Sequence, residues 1–100
     1  MTTTKVVRYR TMPERADENE RLVRDVFAEL AESKPDGLQY ATFRLDDGVS
    51  FVHVAVLEGD VNPLASSPAF AAFQADIGSR CVEGPAPADA TAIGNFRLLA

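Results

Sequence analysis

Two strands joined by a tight turn constrain this fold more than any other feature of the sequence. Residues 38–46 and 49–57 both alternate in polarity, and Asp47-Gly48 lies between them. Asp-Gly is a strong hairpin signal, because both turn residues need a positive φ that Gly and Asp tolerate best. If the loop contains only those two residues, Asp46 faces Val49 and Thr42 faces His53.

The hairpin register divides its side chains between two faces, because side chains alternate along a strand. One face is apolar and is predicted to pack against helices; it includes Phe43, Val52 and Val54. The other face sets a polar and aromatic row in mid-sheet, with Tyr40, Thr42 and Arg44 opposite Ala55, His53 and Phe51. This row contains the only histidine of the chain, so it is the candidate site.

Flanking elements predict a complete fold. A strand is predicted over residues 5–12, and a helix follows with Asp17 as N-cap and Glu20 completing a capping box. Ser67 caps a second helix that begins at Pro68, residues 83–89 form a loop and residues 90–99 form a last strand. The order β-α-β-β-α-β predicts one α+β domain over residues 1–100, a ferredoxin-like four-stranded antiparallel sheet with two helices on one face.

Charge indicates which face of this sheet is free of helices, because helices seldom cover unpaired charges. The predicted members of that face are Arg8, Arg10, Leu38, Tyr40, Thr42, Arg44, Phe51, His53, Ile93, Asn95 and Arg97. A mixed face with this many apolar residues is rarely left fully exposed to water, so we expect another surface to pack against it.

Composition excludes several classes of function. A net charge of -5 argues against nucleic acid as a partner, since that affinity rests on clustered Lys and Arg. The sequence shows neither an apolar run of membrane-spanning length nor a signal peptide, so we expect no membrane and a cytoplasmic location. Cys81 is the single cysteine, and the sequence has no metal-ligand cluster, phosphate-binding glycine loop or nucleophile elbow, so no metal or cofactor is predicted.

Three segments, placed in this element order, resemble the antibiotic-biosynthesis monooxygenase-like family of the dimeric α+β barrel proteins. They are residues 35–40 (PDGLQY), 62–64 (NPL) and 67–73 (SPAFAAF). The resemblance implies a homodimer in which two sheets form a barrel, helices outside, with each helix-free face bounding a cavity. It also implies cofactor-independent oxidation of phenols. Haem-degrading relatives have a Trp, a strand-one Asn and a helix-two His, whereas this chain lacks Trp and has Arg8 and Arg10 on strand one.

Two function classes remain open. In the first, a small aromatic or enolic molecule is oxygenated, with His53 as proton acceptor and Tyr40 orienting the substrate. The predicted ligand-binding residues are Arg8, Thr42, Arg44, Phe51, Asn95 and Arg97. The guanidinium groups of the three arginines suit an anionic ligand. In the second, the protein is a non-catalytic homodimer that binds a small ligand or fills its barrel with side chains, and His53 is a hydrogen-bonded wall residue.

Overall fold

Four antiparallel strands form one sheet in the computed structural model, which describes residues 2–98. The strands are β1 (Thr2–Thr11), β2 (Leu38–Arg44), β3 (Ser50–Glu58) and β4 (Cys81–Ala90), in the spatial order β2-β3-β1-β4. The helices are α1 (Ala16–Ser33), α2 (Pro68–Gln74) and the short α3 (Ile77–Arg80). This order and arrangement confirm the ferredoxin-like α+β fold. Among residues 2–98, no helix is long and apolar enough to cross a bilayer.

The hairpin pairs in the predicted register, with Thr42 opposite His53, but its turn is longer than two residues. Only Gly48 adopts a positive φ, of 78°, and Leu45 N donates to Ser50 O across the loop. The Asp47 carboxylate accepts hydrogen bonds from Val49 N at 2.9 Å and Ser50 N at 2.8 Å. The left-handed geometry predicted for Asp47 is therefore wrong, because its side chain caps the turn instead.

The predicted facing of the hairpin is wrong. Phe51 and His53 point toward the helices, and Phe43 is 47% exposed on the opposite face. The facing predicted for β1 is correct, since Tyr9 is buried in the core while Arg8 and Arg10 are exposed on the other side. The buried core under the helices consists of Tyr9, Val23, Val26, Phe51, Leu64 and Phe73.

The first helix begins differently from the prediction, whereas the second begins as predicted. A 3-10 turn over Pro13–Arg15 leads into α1, its N-cap position is Arg15, and no side chain caps it. Asp17 lies inside the first turn and bonds Arg44 instead. At α2 the Ser67 hydroxyl accepts a hydrogen bond from Phe70 N at 3.0 Å, which confirms the predicted cap.

The predicted C-terminal elements are wrong. Residues 83–89 belong to β4, although Pro85 and Pro87 had suggested a loop. An edge strand tolerates proline because the missing N–H can face away from the ladder, and β4 is an edge strand. Residues 91–98 form no strand and are exposed, with Phe96 82% exposed. Leu99, which the predicted strand included, lies outside the described residues.

Candidate functional site

A pocket of about 400 Å³ lies between the sheet and the helical segments that follow β3. Its sheet side carries Val7, Tyr9, Tyr40 and His53, and α2 and α3 contribute Phe70, Phe73, Gln74 and Ile77. Lys5, Ala55, Leu57, Asn62, Leu64 and Pro85 complete the lining. The volume and the mostly apolar wall suit a small organic ligand.

His53 lies at the centre of the polar groups in this pocket, because β3 is a central strand with β1 and β2 on either side. Its Nε2 is 2.8 Å from the hydroxyl of Tyr9 on β1. Its Nδ1 is 2.6 Å from the hydroxyl of Tyr40 and 3.1 Å from Thr42 Oγ1, both on β2. Both ring nitrogens are therefore hydrogen-bonded by residues that the strand register brings together.

The hydrogen-bonded chain continues from Tyr9 into the helices. Asn19 of α1 is fully buried, and its Nδ2 donates to Tyr9 Oη at 2.9 Å. Arg80 at the end of α3 is 2% exposed, and its Nε donates to Asn19 Oδ1 at 3.2 Å. Five side chains thus form one connected path from a buried cation to the pocket, in the order Arg80, Asn19, Tyr9, His53, Tyr40.

Burial governs the protonation of these groups. It lowers the pKa of His53 to about 4, so the ring is neutral at pH 7. Burial also raises the pKa of Tyr9 well above its usual value, against the opposing hydrogen bond from Asn19. The pKa of Tyr40 is raised by burial too, with a hydrogen bond from Thr42 acting the other way. Both phenols therefore keep their protons at pH 7.

Of the residues predicted as catalytic or ligand-binding, His53 and Tyr40 line this pocket on the helix-covered face rather than on the helix-free face. Thr42 contacts His53 but borders a second cavity, together with Arg44 and Phe51. Arg44 also lies on the helix-covered side, where its guanidinium pairs with Asp17 at 3.1 Å and Glu20 at 2.9 Å.

The remaining predicted ligand-binding residues lie elsewhere. Arg8 is exposed on the opposite face of the sheet. Asn95 and Arg97 were predicted on a strand, but they belong to the exposed segment after β4, where Arg97 lies 4.8 Å from the Phe96 ring. None of the three lines the pocket.

Sequence reasoning missed Asn19 and Arg80. A signal for Asn19 exists, because it stands four residues before Val23 on the stripe that continues through Val26, the buried side of α1. A polar residue on such a stripe must find a buried partner. Arg80 has no comparable pattern, because a cation at a helix end is ordinarily explained by the helix dipole.

The described residues offer no metal centre. Within residues 2–98, no group of three or more His, Cys, Asp or Glu side chains is placed to hold an ion. The pocket's polar groups are instead two phenols, an imidazole, two amides and the Lys5 ammonium, which suit hydrogen bonding to an organic molecule.

Similar proteins are found by fold and not by sequence: no family model and no curated protein matches the chain. A candidate antibiotic biosynthesis monooxygenase from Caulobacter crescentus is 20% identical at a TM-score of 0.70, over 93% of this chain and 91% of that one. SnoaB, a cofactor-independent oxygenase from Streptomyces nogalater, is 19% identical at 0.67, over 96% and 97%. A dimeric ferredoxin-like protein from Jannaschia is 12% identical at 0.68, over 92% and 100%.

These comparisons show the fold. The chain has the ferredoxin-like α+β fold found in structures described as antibiotic biosynthesis monooxygenases, and at this level they confirm the resemblance seen in the sequence. Because every identity is low, residue roles have to be argued from this chain's own geometry.

Proposed function

We propose that this protein is a cofactor-independent, monooxygenase-like enzyme that acts on a small aromatic or enolic molecule. The observation that supports this is the pocket of about 400 Å³, whose mostly apolar wall contains the hydrogen-bonded trio Tyr40, His53 and Tyr9. The similarity in fold to a cofactor-independent oxygenase supports this class of reaction.

The proposed chemistry follows from the substrate class. The substrate enters as its phenolate or enolate, with its proton already released to solvent; this anion is electron-rich, and dioxygen is the oxidant. Oxidation of an activated CH₂ to C=O by one O₂ places one oxygen atom in the product and the other in water, so atoms and electrons balance. The protein's contribution is to position the substrate and to control the charge on its oxygen.

Tyr40 and His53 are the residues to which we assign that control. Tyr40 lines the pocket, with its ring stacked on Phe27 at a centroid distance of 4.9 Å, and we assign it the contact with the substrate oxygen. His53 holds the Tyr40 hydroxyl through Nδ1 at 2.6 Å. With its pKa near 4, His53 is a weaker base than a free histidine, so its contribution comes chiefly from this hydrogen bond.

A specific observation favours the second candidate, a binding protein without catalysis. Within residues 2–98, every buried polar side-chain atom has a hydrogen-bond partner, including those of His53 and Tyr9. A satisfied network is what a structural wall requires. The two candidates differ in turnover and not in fold.

We further propose that the protein forms a homodimer through its helix-free face. Register places Ala41, Val54 and Val6 in one row of that face, and Phe43 and Val52 in the next. Similarity to a dimeric ferredoxin-like protein supports a second copy as the cover. A cytoplasmic location stays a prediction from the sequence.

Turnover separates the two functions. We expect oxygen consumption with at least one member of a panel of quinols, polyketide phenols and enolic acids. His53→Gln should lower that turnover roughly 10²-fold or more, because a positioned hydrogen bond at a developing charge is lost. Arg21→Gln is the matched control, since Arg21 is exposed on α1 and does not line the pocket. Full activity in His53→Gln would exclude a catalytic role for His53, and saturable binding without turnover would favour the binding protein.

A further inference from the structure

Arg80 is a buried cation whose hydrogen bonds go to uncharged oxygens. Besides Asn19, its guanidinium donates to the carbonyls of Ala75 at 3.1 Å and Phe73 at 2.6 Å. A guanidinium group can only donate hydrogen bonds and keeps its charge at any ordinary pH. Any group that hydrogen-bonds to Arg80 must therefore be an acceptor, whatever the pH.

That requirement fixes the orientation of the Asn19 amide. Oδ1 must face Arg80, so the NH₂ group faces Tyr9 and donates to its hydroxyl oxygen at 2.9 Å. The Tyr9 proton then needs an acceptor of its own, and His53 Nε2 lies 2.8 Å away. If Nε2 accepts, the neutral ring carries its proton on Nδ1 and donates it toward Tyr40.

The opposite direction is disfavoured by burial. If Nε2 carried the proton, Tyr9 would receive two hydrogen bonds and its own hydroxyl proton would have no acceptor in the network. Tyr9 is 2% exposed, so an unpaired donor there loses its hydration without compensation. With the proton on Nδ1, the donor left over is the Tyr40 hydroxyl, which lines the pocket and can bond a ligand or water.

We propose that Arg80 and Asn19 are positioning residues that hold His53 in the Nδ1–H tautomer, so that Tyr40 donates into the pocket and selects ligands with an acceptor oxygen, above all a phenolate or enolate. The proposal deepens the proposed function and rests on it for the identity of the pocket as the substrate site. Lys5, a further pocket residue, adds a cation whose ammonium also bonds Asp89 at 2.6 Å.

The tautomer can be measured directly, because His53 is the only histidine of the chain. Long-range ¹H–¹⁵N correlation at pH 7 distinguishes a protonated ring nitrogen from an unprotonated one. We expect a protonated Nδ1 and an unprotonated Nε2. A protonated Nε2 in the wild-type protein would overturn the proposal, whatever the enzyme assays show.

Asn19→Asp should reverse the direction of the hydrogen bonds between residue 19 and Tyr40. Aspartate has the same shape but no donor, so it accepts from Arg80 and also from the Tyr9 hydroxyl. Tyr9 then accepts from Nε2–H, and Nδ1 accepts from Tyr40. The new carboxylate also gives Arg80 a counter-charge, which favours retention of the fold. The expected result is a switch to the Nε2–H tautomer; an unchanged tautomer in folded Asn19→Asp would overturn the role of Asn19.

Ligand selection is tested with 4-nitrophenol, whose absorbance distinguishes phenol from phenolate. The wild-type protein should favour the phenolate, lowering the apparent pKa of the bound probe. Asn19→Asp and Tyr40→Phe should each weaken phenolate binding about ten- to a hundred-fold, because a hydrogen bond to a charged group is lost. Tyr40→Phe should nevertheless keep the Nδ1–H tautomer, since Thr42 remains as acceptor. Absence of binding, or preference for the neutral phenol, would overturn the selection. Failure of turnover with the expected tautomer and phenolate preference would count against the oxygenase alone.

Discussion

The two faces of the sheet are built from the same four strands, but helices cover one face and leave the other exposed. Under the helices, one row across the sheet reads Thr42, His53, Val7 and Pro87, and it carries the polar centre of the pocket. On the other face, the adjacent row reads Phe43, Val52, Arg8 and Ala86, with Phe43 47% exposed. The more polar row is the one that the chain itself covers.

This difference shows that polarity alone does not determine which face a helix covers. Burying a polar group is costly only when its hydrogen bonds are left unmade. Tyr9 and His53 satisfy each other, and Asn19, Tyr40 and Arg80 supply the remaining donors and acceptors. The apolar residues of the other row, Phe43, Val52 and Ala86, stay available for a second copy of the chain.

Truncating one aromatic residue on each face should give the largest contrast. Phe51 is 1% exposed and stacks on Tyr9 at a centroid distance of 5.5 Å, so Phe51→Ala should lower the free energy of unfolding by about 3–5 kcal/mol. Phe43→Ala should cost less than about 1 kcal/mol when the protein is dilute enough to be monomeric. Urea unfolding of both variants measures the comparison, and equal costs would refute the assignment of the faces.

The sequence predicted the features that depend on local interactions and failed for those that depend on tertiary partners. Strand pairing was predictable because turn chemistry and alternation are local, and Thr42 does pair with His53. The facing of the hairpin was not, because it depends on partners such as Asn19 that come from other elements. Arg80 could not be found for the same reason. Pro85 and Pro87 misled the prediction because only the tertiary position of β4, at an edge, makes them compatible with a strand.

Acidification should give the second largest effect, a fall in the free energy of unfolding that comes from His53 on the helix-covered face. The pKa of His53 is about 4 in the folded protein, against an ordinary value of 6.5, so between these values the unfolded chain binds the extra proton. This stabilisation is present above pH 6.5 and is lost as the pH falls through 4. From pH 7 to pH 5 the free energy of unfolding should fall by about 2 kcal/mol.

The control for this pH dependence is His53→Gln, which cannot titrate. Asp47, Glu18 and Glu20 have pKa values lowered from 3.8 or 4.5, so their contributions fall mainly below pH 4.5. Unfolding measured between pH 5 and 7 therefore isolates the histidine. A slope that persists in His53→Gln would assign the effect to another group.

The smallest effect on folding, and the most informative about the other face, is expected from Phe43→Lys. A half-exposed side chain contributes little to the monomer, so its free energy of unfolding should change by less than about 1 kcal/mol. In the proposed dimer the same change places a charge in an apolar contact, and two copies of it meet because the interface is symmetric. Sedimentation velocity at tens of micromolar should show a dimer for the wild-type protein and a monomer for Phe43→Lys.

Val61→Lys is the control. It alters another exposed apolar residue, 76% exposed in the loop after β3, and should remain dimeric. A monomeric wild-type protein, or dissociation by Val61→Lys alone, would show that the helix-free face is not the dimer interface.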